Sequence, residues 1–144
     1  MKQIILLFAC LFALQGLAKA DDDRAITVDQ LPQKAQEFQK YFPKNEISLA
    51  KMEKDFWEKK YEVVFVNGEK AEFLKDGSWE KVDCKYSTVP TGIVPQAIKD
   101  YVSKHYPEAK ILKIERDSKT YEVKLNNQLE LEFNKAFQLI DIDN

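Results

Sequence analysis

Few residues in this chain can do chemistry, and their types set narrow limits. Nucleophilic catalysis needs a thiol or hydroxyl activated by a base within hydrogen-bond reach, and the pairing on offer is Cys84 with His105, the one histidine. His105 closes a predicted helix, where an imidazole serves the last carbonyls and the helix dipole. Cys84 ends a predicted strand. A lone thiol is reactive, pairs between chains, or is a small buried hydrophobe, and the last is the expectation here. One His and one Cys cannot close a zinc site, and the glycines fall in turns or in the leader, so no phosphate-cradling loop exists. Glu62, Glu72, Glu122, Glu130 and Glu132 occupy alternate positions facing away from the predicted core, as on the solvated face of a sheet. Asp141 and Asp143 lack the ligand-rich loop of an EF-hand. No catalytic, cofactor-binding or metal-binding residue is assigned, and no enzyme is expected. The alternative, an enzyme built on Cys84 and His105, requires a thiol that alkylates in the folded protein.

Export is written in the first twenty residues. Met1-Lys2 is a positive start, Ile4 to Leu14 is nearly unbroken apolar sequence, and Ala18-Lys19-Ala20 precedes three aspartates, the pattern of a signal peptide cleaved between Ala20 and Asp21. Leu7-Phe8-Ala9-Cys10 resembles a lipobox, but its apolar run is too short for lipoprotein anchoring at Cys10 to be the expectation. Cleavage of 20 from 144 residues leaves 124, with 20 basic residues remaining of 22 against 24 acidic ones, a net charge of −4. A mildly acidic chain without a basic block gives no electrostatic reason to bind nucleic acid or anionic membrane. No membrane span is expected in the mature chain.

An internal echo organises the rest. Tyr61-Glu62-Val63, Asn67, Glu72-Phe73, Lys75 and Asp83 return sixty residues later as Tyr121-Glu122-Val123, Asn127, Glu132-Phe133, Lys135 and Asp143. Before each block stands an amphipathic segment. Leu31, Ala35, Phe38 and Phe42 recur at helical spacing from Leu31-Pro32 to Pro43, predicting about three helical turns. Ile98, Tyr101, Val102 and Tyr106 do the same between Pro95 and Pro107. Strands are predicted from Ile47 to Asp55 and from Tyr61, with a hairpin at Asn67-Gly68, a strand through Ala71 and Phe73, a turn at Asp76-Gly77 and a strand from Trp79 to Cys84. Four more follow at Ile111–Asp117, Tyr121–Leu125, Leu129–Phe133 and Phe137–Asp143. Asp21 to Thr27 reads as a frayed polar terminus. The expected units are a signal peptide over 1–20, a first repeat over 21–84, a connector over 85–92 and a second repeat over 93–144.

The frame Leu31-Pro32, Tyr41-Phe42-Pro43, Tyr61-Glu62-Val63, Asn67-Gly68, Glu72-Phe73, Asp76-Gly77-Ser78-Trp79 and Val82-Asp83, with its echo, resembles the PepSY-like proteins exported by Bacteroides-type bacteria, which are similar in fold to the β-lactamase inhibitor protein. The resemblance implies an α+β fold: two tandem αββββ repeats forming a curved antiparallel sheet with helices packed on one face. It brings no catalytic residues. Inhibition of a β-lactamase is not carried over, because no inhibitory loop motif maps onto this chain.

Where the two copies disagree, function is expected. Val64, Val66 and Leu74 stand where the second copy has Lys124, Asn126 and Asn134, and three apolar side chains on an otherwise polar face suggest a contacted surface. Local packing under the connector or the N-terminal segment is the competing explanation. Phe56-Trp57 has no counterpart and sits at a predicted hairpin tip, where an accessible Trp makes an interface anchor. Trp79 aligns with Leu139 and is expected in the core. The functional expectation is an exported, periplasmic, non-enzymatic module that recognises an envelope protein or peptide through Phe56, Trp57, Val64, Val66 and Leu74. A small-molecule or ion-binding envelope sensor is the alternative.

Overall fold

The structure, a computed structural model, describes residues 22–144. The signal peptide, its cleavage between Ala20 and Asp21, and Cys10 lie outside the described residues. Nine strands, β1 (Asp22–Ile26), β2 (Ile47–Asp55), β3 (Glu58–Phe65), β4 (Lys70–Phe73), β5 (Trp79–Asp83), β6 (Ile111–Arg116), β7 (Thr120–Leu125), β8 (Glu130–Asn134) and β9 (Leu139–Asp143), form one sheet in which each pairs antiparallel with the next. The helices are short: α1 (Gln33–Glu37) and α2 (Gln96–His105).

This corrects the expected architecture of two tandem αββββ repeats with helices packed on the sheet. The described residues form mostly one nine-stranded antiparallel meander and are only 18% helical. Three causes are local. The segment read as a frayed terminus is β1, paired along its whole length with β2 from Asp22–Lys54 to Ile26–Ala50. An edge strand is held by its backbone and needs little apolar surface, so hydrophobic patterning could not reveal it. The first helix is not three turns long, since after Glu37 it tightens into a 3₁₀ turn, Phe38–Tyr41. That turn nearly eclipses residues three apart and brings the Phe38 and Tyr41 rings edge to face at 5.1 Å. Finally, β5 pairs directly with β6 through Lys81–Glu115, Val82–Ile114 and Asp83–Lys113, so the two strand sets do not stand as separate units.

Register nevertheless follows the sixty-residue echo. Tyr61–Phe73, Glu62–Glu72 and Val63–Ala71 pair across β3 and β4, and Tyr121–Phe133, Glu122–Glu132 and Val123–Leu131 pair across β7 and β8. Both β4–β5 and β8–β9 carry an irregularity at the same relative place, between Glu72 and Phe73 and between Glu132 and Phe133. The inner face is apolar at its centre, with Phe73, Val82, Ile114, Val123, Leu125, Leu131 and Phe133 fully buried. Phe38 meets Phe73 edge to face at 5.2 Å, and Tyr101 of α2 meets Phe133 likewise at 5.4 Å. Trp79 is half-buried against this core, under the Arg116 guanidinium at 3.9 Å from its ring centroid.

Turn chemistry separates the two strand sets. Gly68 and Gly77 adopt φ of +92° and +91°, and their sixty-residue counterparts Gln128 and Phe137 hold the same left-handed region at +79° and +64°. A Cβ on Gly77 would also lie 2.9 Å from Cβ of both Pro32 and Lys34, so the β4–β5 turn touches the first helical segment only because the residue is glycine. Gln128→Gly is expected to stabilise the fold by about 0.5–1 kcal/mol, and Gly77→Ala to destabilise it by at least about 1–2 kcal/mol, as read from denaturant midpoints.

Candidate functional site

The hairpin joining β2 to β3 is the first candidate. Its pairs Glu53–Lys60, Lys54–Lys59 and Asp55–Glu58 lie beyond Tyr61–Phe73, the last pair of β3 with β4. Only β1 flanks the overhang, through Asp22–Lys54 and Asp23–Glu53. The matching β6–β7 hairpin ends at Arg116–Tyr121 and has no overhang, which is where the extra residues of the first strand set are spent. At the tip Asp55 Oδ1 accepts a hydrogen bond from the Phe56 amide at 2.8 Å. Phe56 and Trp57 stack on each other at 5.4 Å and 25°, with 74% and 88% of their surfaces exposed. Two-residue hairpin turns favour Asn-Gly, with positive φ at both central residues; here both are aromatic and neither has positive φ.

The structure separates the remaining predicted residues. Leu74 follows β4 at the same end of the sheet as the tip and is partly exposed. Val66 lies past the opposite end of β3, 66% exposed, with its amide donating to the Glu46 carbonyl at 2.8 Å. Val64 stands between them on the outer face, half-buried beside its cross-strand neighbour Leu49. Val64, Val66 and Leu74 thus form no single patch, because β3 ends at Phe65 and the alternation that grouped Val66 with Val64 ends with it.

Cys84 and His105 are not brought into a catalytic pair. Cys84 is 1% exposed, and burial, then Glu69 and Asp83, push its thiol up to about 12. His105 is exposed and stacks on Tyr101 at 4.2 Å. Among the described residues no three His, Cys, Asp or Glu side chains are grouped to hold a metal ion.

Sequence reasoning missed the charge pattern that register creates on the outer face. One row crosses the sheet as Lys51, Glu62, Glu72 and Lys81, then continues as Glu115, Glu122, Glu132 and Asp141. In its first half the lysines answer the acids. Glu62, buried rather than solvated, has Lys51 at 3.4 Å and Lys70 at 3.8 Å, and Lys81 reaches Glu72 at 3.8 Å and Glu115 at 3.6 Å. A shallow depression of about 250 Å³, bordered by Lys60, Glu72, Lys81, Glu115 and Glu122, lies along this row. In the second half Glu122, Glu130, Glu132, Asp141 and Asp143 make no ion pair among the described residues. Burial first, then Glu130 and Glu115, raise the Glu122 carboxyl above its ordinary 4.5. The signal available was the alternation itself, but aligning it across strands required the register.

Two measurements follow. A carboxyl whose folded pKa is raised gives stability that is complete below 4.5 and lost as pH rises through the raised value. Glu122→Gln should therefore match the wild type at low pH and unfold at a higher midpoint at pH 7, in melts taken across that range. The Cys84 thiol should resist a thiol reagent until denaturant is added; prompt labelling in the folded state would contradict its placement.

Comparison with known proteins places the chain. A family model described as "Putative beta-lactamase-inhibitor-like, PepSY-like" matches residues 59–141. A crystal structure from Bacteroides thetaiotaomicron, of a "putative calcium-regulated periplasmic protein", is 57% identical with a TM-score of 0.84, covering 85% of this chain and 98% of that one. A crystal structure of a "putative periplasmic protein" of the DUF2874 family from Bacteroides vulgatus is 56% identical with a TM-score of 0.84, over 88% of this chain and 100% of its own. A third, of unknown function and also periplasmic in Bacteroides vulgatus, is 35% identical with a TM-score of 0.81, over 85% and 100%. No curated protein matches the sequence. No described helix is long and apolar enough to cross a membrane. The chain belongs to the PepSY-like family, and it is an exported periplasmic protein.

Proposed function

We propose that this PepSY-like periplasmic chain is a non-enzymatic binding module that recognises a protein or peptide with the tip of the β2–β3 hairpin. The observation that carries the reading is the exposure of Phe56 and Trp57, stacked on a hairpin that overhangs the sheet. Aromatic anchors give large contact area with few rotatable bonds. These two contribute little to the fold, so their placement at turn positions that favour Asn-Gly points to selection for contact. Leu74 lies at the same end of the sheet, at the base of the overhang, while Val64 and Val66 lie away from the tip and are at most peripheral to the contact.

The test replaces Trp57 with a photo-crosslinking amino acid in the exporting bacterium, with exposed Ser118 in the β6–β7 turn as control. A discrete adduct is expected at 57 and not at 118; no adduct at 57 withdraws the tip. Phe56→Ser/Trp57→Ser should shift stability by less than about 0.5 kcal/mol, the behaviour of surface positions. A large loss would make the rings structural.

An ion-responsive envelope sensor is the second reading. It is favoured by the description of the Bacteroides thetaiotaomicron relative as calcium-regulated and by the unpaired acids on the outer face. A divalent cation would act by relieving repulsion along the row. Calcium should then raise the melting temperature more than sodium at equal ionic strength, because a ligand preferring the folded state stabilises it. Equal shifts would remove the reading.

A further inference from the structure

The free edge of β9 repeats, in altered charge, an edge that the molecule itself uses to accept a strand. β5 and β9 correspond residue for residue at the sixty-residue offset: Lys81 to Asp141, Val82 to Ile142 and Asp83 to Asp143. β5 receives β6 on its far side, pairing Lys81 with Glu115, Val82 with Ile114 and Asp83 with Lys113. β9 is last in the sheet, and its far side is unpaired among the described residues. Its Ile142, on the inner face where Val82 is fully buried, remains 47% exposed. The outer-face partners are changed as well. Lys70 and Lys81, which answer Glu62 and Glu72 in the first strand set, are replaced in the second by Glu130 and Asp141.

We propose that the β9 edge binds an antiparallel extended peptide in which basic and apolar residues alternate. The β5–β6 junction supplies the register: a Lys or Arg opposite Asp141, an aliphatic residue opposite Ile142 and a second Lys or Arg opposite Asp143. Backbone hydrogen bonds give the added strand its affinity, and alternate side chains give its specificity. The base opposite Asp141 extends the row ending in Glu132 and Asp141 and supplies a cation it lacks, the base opposite Asp143 extends the neighbouring row ending in Glu130 and Asp143, and the aliphatic residue covers Ile142. A second copy of this chain does not fit. The exposed strand β1 reads Asp23-Arg24-Ala25 and offers no base on the outer face, and pairing β9 with β9 brings like-charged acids together. This edge lies at the opposite end of the strand order from the β2–β3 tip, so the two readings stand or fall separately.

The experiment uses the mature protein and a short labelled peptide carrying the Lys-Ile-Lys triplet, alongside the same peptide with Glu-Ile-Glu and one with alternate backbone amides N-methylated. Binding is followed by fluorescence anisotropy at low salt, with amide exchange read at residues 139–143. Saturable binding of the Lys-Ile-Lys peptide is expected, with new protection in β9. N-methylation should abolish it, and Asp141→Lys/Asp143→Lys should weaken it about tenfold and shift preference to the Glu-Ile-Glu peptide. Exposed charge changes of this kind leave the fold intact, which circular dichroism checks. No saturable binding overturns the proposal. So does binding that survives N-methylation, which is charge attraction to the face alone, and so does β9 protection that appears without peptide and grows with protein concentration, which assigns the edge to a second copy.

Discussion

Backbone pairing between β5 and β6 is the constraint on which the rest of this structure depends. Three registered pairs form the seam, extended by the Cys84 amide donating to the Leu112 carbonyl at 2.9 Å and the Val89 amide to the Ile111 carbonyl at 2.8 Å. Arg116 reinforces it, donating from Nε to the Trp79 carbonyl at 2.9 Å while covering the Trp79 ring. Because side chains alternate faces with a period of two, a slip of one residue here would put Lys81 and Asp83 into the core and Val82 into water. Val82 and Ile114, both fully buried, make that slip costly, at roughly 1.5–3 kcal/mol for each aliphatic side chain exposed. The seam therefore fixes in one step which residues of either strand set share a row.

Those rows decide the electrostatics of the outer face. Strands lie about 4.8 Å apart, so side chains in one row are close neighbours, and like charges directly opposite destabilise by roughly 0.2–1 kcal/mol. Over β2 to β5 the charges alternate enough to be answered, and Glu62 is buried because two lysines close over it. Over β6 to β9 the same row stacks acid on acid, from Glu115 through Glu122 and Glu132 to Asp141. The raised carboxyl of Glu122 is the local result. A shared frame thus carries opposite electrostatic solutions, and the difference arises from lysine-to-acid replacements that leave the inner face untouched.

The sequence made the strands legible and the sheet less so. Period-two runs around Tyr61, Ala71, Tyr121 and Leu131 stand out because one face is apolar, and Asn67-Gly68 and Asp76-Gly77 mark turns by the positive φ they permit. β1 was hidden because an edge strand held by its backbone needs no apolar alternation. The shortness of the first helix was hidden because Leu31, Ala35, Phe38 and Phe42 are all buried whether the turn is α or 3₁₀. Of the candidate site, the Phe56-Trp57 tip could be located by its lack of a counterpart, and the structure places it on an overhang. Val64, Val66 and Leu74 could not be told apart, since a comparison of copies gives their faces without the ends of the strands. The acid row was invisible for a related reason: its members are spread over four strands, and only hydrogen-bonded register lines them up.

An open sheet must manage two edges, and this one manages them differently. β1 exposes Asp23, Arg24 and Ala25, so charge and small size discourage any added strand. β9 carries acids on one face and exposed Ile140 and Ile142 in the same strand, without lysine or proline. Acids of a single sign repel a copy of the same edge and any acidic strand, but their repulsion reverses for a basic one. Charge on such an edge acts as a filter rather than a barrier: it disfavours pairing with a copy of the same edge and leaves the backbone groups open to a strand of opposite sign.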